Sequence, residues 1–347
     1  MKAFTEESFE YIAGYEAVRT AAKDFETYSS DLQGDRDVRD YRQLPLEADP
    51  PKHTSYRHAV QPLFLRPRLE AHAAEFQEIA SQLLDDLVAS KREFDVYGDF
   101  ALPFVVGCLS VIYARPQDRA EWISWGPDVW TAAGAGRDGK VLHGYIDRVF
   151  REPSSAADIW GFLKAARPGD QELTADEFKG YAGVLLAGGR DTVIKLVSGI
   201  FWHLLNSPSD ANRIEAEPDL ERGLINELLR FLSPLPAIER VKTSQALADS
   251  PHYFRLHFAS ANFDPEQWQN PERIDIFRGK QPHLAFGYGP HTCLGMNLAE
   301  YEAKAFLSAF LPRRQQFVLS NFKLEFAEVA GIRYLQNLSE LRVSIRS

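Results

Sequence analysis

The chain has 347 residues, with 39 Lys plus Arg against 49 Asp plus Glu and a formal net charge of -10, which argues against a nucleic-acid partner because such surfaces are basic. Apolar residues at 45% and charged ones at 25% are ordinary for a folded protein and exclude wholesale disorder. Length alone allows one large domain or two; with no repeat, low-complexity tract or Gly/Ser linker, a single unit over 1–347 is expected.

Residues 1–7 carry acids where a secretion signal has its positive end. The longest uncharged run, 100–114, falls short of the ~18 residues of a spanning helix and is interrupted by Pro103 and Gly107. A cytoplasmic protein with no membrane segment is expected. The two cysteines, Cys108 in that run and Cys293 in a glycine-rich loop, cannot form a disulfide framework, and Cys108 reads as core packing.

Apolar residues three and four apart predict helices over 67–90, 100–114, 156–166, 174–206, 219–232 and 294–311. Strand-like pieces are short, at 9–12, 252–259 and 341–345. The fold class is therefore mainly α with a small β-sheet at the side of a helical body. The 174–206 segment opens with a Thr174/Glu177 capping box and ends at Ser207-Pro208. As one helix it would be about 48 Å long at ~1.5 Å per residue. Gly188 and Gly189 stand in its middle, each costing about 1 kcal/mol relative to Ala, followed by Arg190, Asp191 and Thr192. Either tight helix packing compensates, or a flat ligand lies against the glycines in a groove opened by Thr192 bonding the Gly188 carbonyl. Arg190 can pair with Asp191 or turn into the protein body.

The stretch Phe286-Gly287-Tyr288-Gly289-Pro290-His291-Thr292-Cys293-Leu294-Gly295 leads straight into the helical residues Met296 to Glu302. A thiol at a helix N-terminus faces free N–H groups and the positive end of the helix dipole, which favour thiolate. Glycines at 287, 289 and 295 let the backbone approach something large. A thiolate held in this way suits an iron.

The Phe-Gly-x-Gly-x-His-x-Cys-x-Gly pattern from Phe286 to Gly295 resembles the haem-binding loop of cytochrome P-450 monooxygenases, and further matches follow in the right order along the chain. Gly188 to Thr192 resembles the oxygen-activating kink of the long central helix, with Gly188 where Ala is more usual. Glu227 and Arg230 resemble the Glu-x-x-Arg pair, with Arg273 as third member. The apolar stripe of Ile225, Leu228, Leu229 and Leu232 alone would leave Glu227 and Arg230 solvated; the resemblance implies a buried network. The 261–265 segment is similar to one reading Ala-Asn-Arg-Asp-Pro, with Phe263 in place of Arg.

The resemblance implies the cytochrome P-450 fold and heme b, with Cys293 as axial ligand to the iron and Gly188, Phe286, Gly287, His291 and Gly295 around the macrocycle. It implies His53, Arg57, Arg240 and His283 as partners of the propionates, and Asp191 and Thr192 as the proton relay. Val184, Leu185, Leu235, Pro236, Ala237 and Ile238, with the tail near 334–338, are implied as pocket wall. The implied reaction inserts one atom of O2 into a small apolar organic substrate, with electrons from a separate ferredoxin or flavodoxin. The alternatives are a peroxide-dependent or non-catalytic haem-thiolate protein, which has no need of the relay, and a helical binding module without haem. The chain is shorter than soluble bacterial members usually are. The losses fall before Gly14, in the roof over 118–151 around 133–136, and in the hairpin over 245–252. They leave a sheet edge and a roof that a homo-oligomer or another partner covers, or that remain as an open channel.

Overall fold

The computed structural model describes residues 9–32, 41–90, 92–126, 128–130, 139–243, 252–279 and 281–346. The expectations placed on 1–7, 133–136 and most of the 245–252 hairpin lie outside these residues. Within them the chain is mainly helical with two small sheets, and no helix is long and apolar enough to cross a membrane.

Strands β1 (Phe9–Ile12), β5 (Tyr253–Leu256), β4 (Ile238–Lys242) and β2 (Tyr28–Ser29) form one sheet in the order β1-β5-β4-β2, with β1 parallel to β5 and the other pairs antiparallel. The expected 252–259 strand stops at Leu256. There the His257 side chain accepts from the Ser260 N–H and caps helix α13 (Phe258–Phe263). The second sheet, β3 (Phe94–Asp95), β7 (Ile332–Ile345) and β6 (Phe317–Val329), is built on a long hairpin of which only the last few residues were expected. Its turn holds Ala330 and Gly331 at φ 51 and 78, the left-handed pair that two-residue hairpins need.

Around these sheets lie α1 (Tyr15–Lys23), α2 (Lys52–Val60), α3 (Arg66–Glu70), α4 (Ala73–Ser90), α5 (Leu102–Ile112), α6 (Arg119–Ser124), α7 (Lys140–Arg151) and α8 (Ile159–Ala165). They are followed by α9 (Ala175–Gly188), α10 (Asp191–Asn206), α11 (Pro208–Ala216), α12 (Glu221–Leu232) and α14 (Met296–Phe310). The 67–90 segment is two helices, and the 100–114 run continues a π-helical turn, Val96–Ala101, into α5 with Pro103 in the first turn, where its missing N–H costs nothing. The 156–166 helix starts only at Ile159, where the Asp158 carboxylate accepts from the Gly161 N–H at 2.8 Å.

The expected single helix over 174–206 is two. The Thr174/Glu177 capping box starts α9 as predicted, and the helix ends at Gly188; α10 restarts at Asp191. Helix α10 crosses the middle of the protein. Its Phe201 packs on Phe100, Phe306, Phe310 and Phe317, with ring centroids 4.4 Å apart for Phe201 and Phe310, which ties α10 to the π-turn, to α14 and to β6. Cys108 is fully buried in this core, as expected. The core thereby fixes α10 and the start of α14 on opposite sides of one internal cavity.

Candidate active site

The floor of the cavity is the 286–295 loop. Gly287 and Gly289 adopt φ of 68 and 74, and a β-carbon on Gly289 would stand 2.9 Å from the Ala22 carbonyl oxygen, so both positions demand glycine. Gly295 has an ordinary φ of -80 and caps α14. The Cys293 N–H donates to the Phe286 carbonyl at 2.8 Å and seats the thiol on the cavity floor at the N-terminus of α14. Its sulfur is accessible from the cavity but far from bulk water, and burial pushes the thiol up; the Gly295 and Met296 N–H groups and Arg57 pull the other way. The helix terminus acts in the expected direction, and burial outweighs it in the metal-free protein.

Along one side of the floor His53, Arg57, Arg240 and His291 line the cavity. Arg240 is 4% exposed; its Nη1 donates to the carbonyl of its own neighbour Glu239, and no carboxylate among the described residues pairs with it. His53 Nε2 is buried without a hydrogen-bond partner among the described residues. The His53 and His291 rings lie 4.3 Å apart, and Ser30 Oγ meets His291 Nε2 at 2.9 Å. Burial first, and the neighbouring Arg57 and Arg240 second, hold His53 down at about 4; burial and the same cations lower His291 further. Asp49 is the carboxylate that His53 and Arg240 sense, and it is held by Ser29 and Ser30 without an ion pair to either; two arginines and two histidines around one such anion still fit a further dianionic partner such as a pair of carboxylates. His283 is not part of this set. It lies beside Phe286 with ring centroids 5.7 Å apart, outside the cavity lining, and is held down at about 4 by burial and by Arg230. The expected quartet is corrected: His291 takes the place of His283, because the loop turn at Gly287 carries residue 283 behind the cavity wall.

The ceiling is the break between α9 and α10. The Thr192 hydroxyl donates to the Gly188 carbonyl at 3.1 Å, as expected, and Gly188, Gly189 and Thr192 all face the cavity. A β-carbon on Gly188 would meet nothing closer than Val184 at 3.9 Å, and one on Gly189 only Leu109 at 3.4 Å. Tight packing therefore does not explain the two glycines, and open space for a flat group does. Asp191 does not line the cavity. Its carboxylate accepts from Tyr97 Oη at 2.6 Å and pairs with Lys195 at 3.3 Å, and its side chain is 45% exposed. Arg190 turns the other way, into the protein body, 1% exposed, and donates to the carbonyls of Trp122 and Gly126.

Behind the floor, Glu227 and Arg230 are buried, at 4% and 1% exposed. Arg230 Nε and Nη2 donate to the two Glu227 oxygens at 3.0 and 2.8 Å, and its remaining N–H groups reach the carbonyls of Asn262, Pro271 and Arg273. The second cation on Glu227, and so the third member of the set, is Arg278, at 3.0 Å to both oxygens, and not the expected Arg273, whose side chain is exposed while its carbonyl accepts from Arg230 and Arg278. Phe263, where the resemblance has Arg, is buried with Arg230 over its ring at 5.5 Å. Asn262 ties this network to the loop, accepting from the Leu284 N–H at 2.7 Å and donating to Ser233 at 2.9 Å.

The cavity measures about 250 Å³. Of the expected wall residues Val184, Leu185, Leu235 and Ile238 line it. Pro236 and the tail residues Leu335 to Leu338 line a separate polar pocket of about 30 Å³ beside Lys195 and Ser198, and Ala237 lines neither. Leu44, Pro45, Leu46, Tyr113 and Tyr181 complete the wall, none of them expected. The two tyrosine hydroxyls donate to the carbonyls of Leu185 and Tyr56, so their polar ends are already occupied.

Heme b fits these residues: a cysteine sulfur on the floor, two arginines and two histidines at one side as donors for two carboxylates, with His53 Nε2 unpartnered among the described residues, and two glycines above. The comparisons agree. Residues 146–330 match the cytochrome P-450 family model. The chain is 32% identical over 281 residues to 20-oxo-5-O-mycaminosyltylactone 23-monooxygenase of Streptomyces fradiae, covering 77% of this chain and 66% of that protein. It is 30% identical over 292 residues to vitamin D3 dihydroxylase of Streptomyces griseolus, covering 80% and 71%. Among solved structures, a carbohydrate active P-450 superposes with a TM-score of 0.84 at 27% identity, over 99% of this chain and 93% of that one. The cysteine floor, the cation set and these likenesses converge: the chain belongs to the cytochrome P-450 family, and is by that membership a haem-thiolate monooxygenase with heme b as its cofactor.

Proposed function

We propose that this monooxygenase hydroxylates a small apolar organic molecule, receiving electrons from a separate ferredoxin or flavodoxin, and that one domain over 1–347 carries the whole site. The observation that carries the substrate class is the wall between floor and ceiling. Leu44, Val184, Leu185, Val193 and Leu235 face it, and the two tyrosines there spend their hydroxyls on backbone carbonyls. A polar substrate would leave its own donors and acceptors unpaired against such a surface.

Cys293 holds the iron as thiolate, and His53, Arg57, Arg240 and His291 bind the two propionates through charge-assisted hydrogen bonds. When bound, heme b supplies activation of dioxygen, favoured by the thiolate ligand. Thr192 stands in the ceiling with its hydroxyl proton on the Gly188 carbonyl and its oxygen at the cavity, where turning off that carbonyl would let it pass a proton on. Asp191, outside the wall and half exposed, draws protons from solvent under the hold of Tyr97 and Lys195. The aliphatic wall keeps bulk water from the reacting atoms.

Titrating the purified protein with terpenes, aromatics and carrier-bound acids while following the Soret band tests the substrate class. Spectral shifts with the apolar compounds are the expected result; a response confined to sugars or other polar compounds contradicts it. The alternative of peroxide-dependent use gains only if Thr192→Ala keeps wild-type rate and coupling.

A further inference from the structure

Arg190 is the one residue of the helix break whose place the relay does not explain. Its guanidinium is 1% exposed, and no carboxylate among the described residues pairs with it. Burial lowers it to about 10, and its Nε and Nη1 have no hydrogen-bond partner among the described residues. Burying a cation in this way is costly. What the side chain does make is specific. Nη2 donates to the carbonyls of Trp122, in α6, and Gly126, just past that helix, and the guanidinium lies 5.8 Å from the Trp125 ring. Helix α6 and the chain to Gly126 begin the 118–151 segment that the resemblance implies as roof, set behind a cavity lining that passes from Tyr113 to Tyr181.

A second hook lies three residues before the break. The Gly189 N–H turns to Ala187 instead of reaching the Leu185 carbonyl, and the freed Leu185 oxygen accepts the Tyr113 hydroxyl at 3.0 Å. Tyr113 packs edge-on against Trp122 with ring centroids 6.2 Å apart, and Trp122 touches Trp125 and Tyr145. The helix break is thus fastened at both ends to one aromatic block built on α6, by Tyr113 before Gly188 and by Arg190 after Gly189.

We propose that Arg190 is a positioning residue that locks the α9/α10 break, and with it Thr192, to α6, so that the seating of the roof over an occupied cavity sets the geometry of the groove beneath it. The inference rests on the haem reading above for its functional meaning, but the mechanical link is a property of the polypeptide. The roof and the break form one cooperative unit through this side chain.

The test is hydrogen exchange of the haem-loaded protein, with and without 4-phenylimidazole, an apolar azole that enters the cavity and ligates haem iron, and of the haem-free protein. In the wild type, segments 119–126 and 187–193 exchange as one unit, and the azole slows both by about tenfold or more. In Arg190→Met, segment 187–193 still responds while 119–126 changes less than about twofold. Arg190→Lys, which keeps a charged donor, restores part of the roof response, and Asp191→Asn leaves it intact. A purely structural arginine would shift both segments together in every state. Arg190→Met with a wild-type roof response overturns the proposal, as does unlinked exchange of the two segments in the wild type. If Arg190→Met fails to fold, Arg190→Lys carries the test: a roof response weaker than the wild type's while 187–193 still slows supports the link, and a full wild-type roof response overturns it. Haem loading is read separately from the absorption spectrum. A protein that binds no haem sinks the functional reading, while linked exchange in its haem-free form still decides this one.

Discussion

The two sides of the cavity treat buried arginine in opposite ways. Below the floor, Arg230 has a bidentate carboxylate and three backbone carbonyls, and Glu227 has a second arginine in Arg278 and the Asp275 N–H. Above the ceiling, Arg190 is as deeply buried and has only carbonyls. A fully satisfied network holds one geometry, whereas a half-satisfied one is easily unlocked. On the proposal above, the floor holds the cofactor and the ceiling moves with its ligands.

The same substitution on both sides breaks or sharpens this contrast. Arg230→Met leaves Glu227 with one cation and the carbonyls of Asn262 and Pro271 without their donor, while Arg273 keeps Arg278, which costs roughly 3–5 kcal/mol. Thermal unfolding and haem content should show a protein that folds poorly and loads little haem. Arg190→Met removes a cation that has no anion, so the relief offsets the two lost hydrogen bonds and the net change stays within roughly 1–2 kcal/mol. Equal losses at the two sites would contradict the contrast. Thr192→Ala comes next: haem loading and stability stay, while product per reduced nicotinamide falls and peroxide rises, by up to the ~10²–10⁴-fold typical of general acid assistance. Asp191→Asn should mainly slow turnover.

A third comparison is pH-dependent. Glu302 in α14 is fully buried, and neither carboxylate oxygen has a partner among the described residues. Burial pushes it well above the usual carboxylate range, and Cys108 and Tyr113 are the titratable groups that sense it. Its pKa is raised on folding, so the stability linked to it is complete below the unfolded value of about 4.3 and is lost as pH rises toward the folded value. Glu302→Gln should therefore stabilise the protein at pH ~7 by roughly 1–3 kcal/mol, with the gain shrinking toward pH ~4. A gain that grows on acidification would contradict the assignment. The smallest effect is Thr174→Ala, which removes the α9 cap at a cost of about 1 kcal/mol in thermal or urea unfolding.

Much of the floor was legible because its chemistry is local: the ten residues from Phe286 to Gly295 carry the ligand, the turn glycines and the helix start together. The burial of Glu227 and Arg230 was legible only through the resemblance, since their helical face looks polar and only Asn262 and the 271–278 carbonyls and cation make it an interior. Arg278 escaped for the same reason: five residues separate it from Arg273, and which of the two points inward depends on a loop with no periodicity. The break after Gly188 was visible as a weak point, but its ends were not, because Tyr113 and Trp122 lie some seventy residues away in sequence, at separations of 72 and 68 from Leu185 and Arg190. The β6/β7 hairpin was missed because its turn is Ala330-Gly331 and not a usual Asn-Gly or Asp-Gly.

The central claim is that Cys293 holds the iron, and one spectrum decides it. The reduced protein under carbon monoxide should show its Soret band at the position that marks a cysteine-bound haem rather than a histidine-bound one. Cys293→His should lose that band while the cation set and the glycine ceiling still retain haem. A band that persists in Cys293→His, or one at the histidine-ligated position in the wild type, would contradict the account.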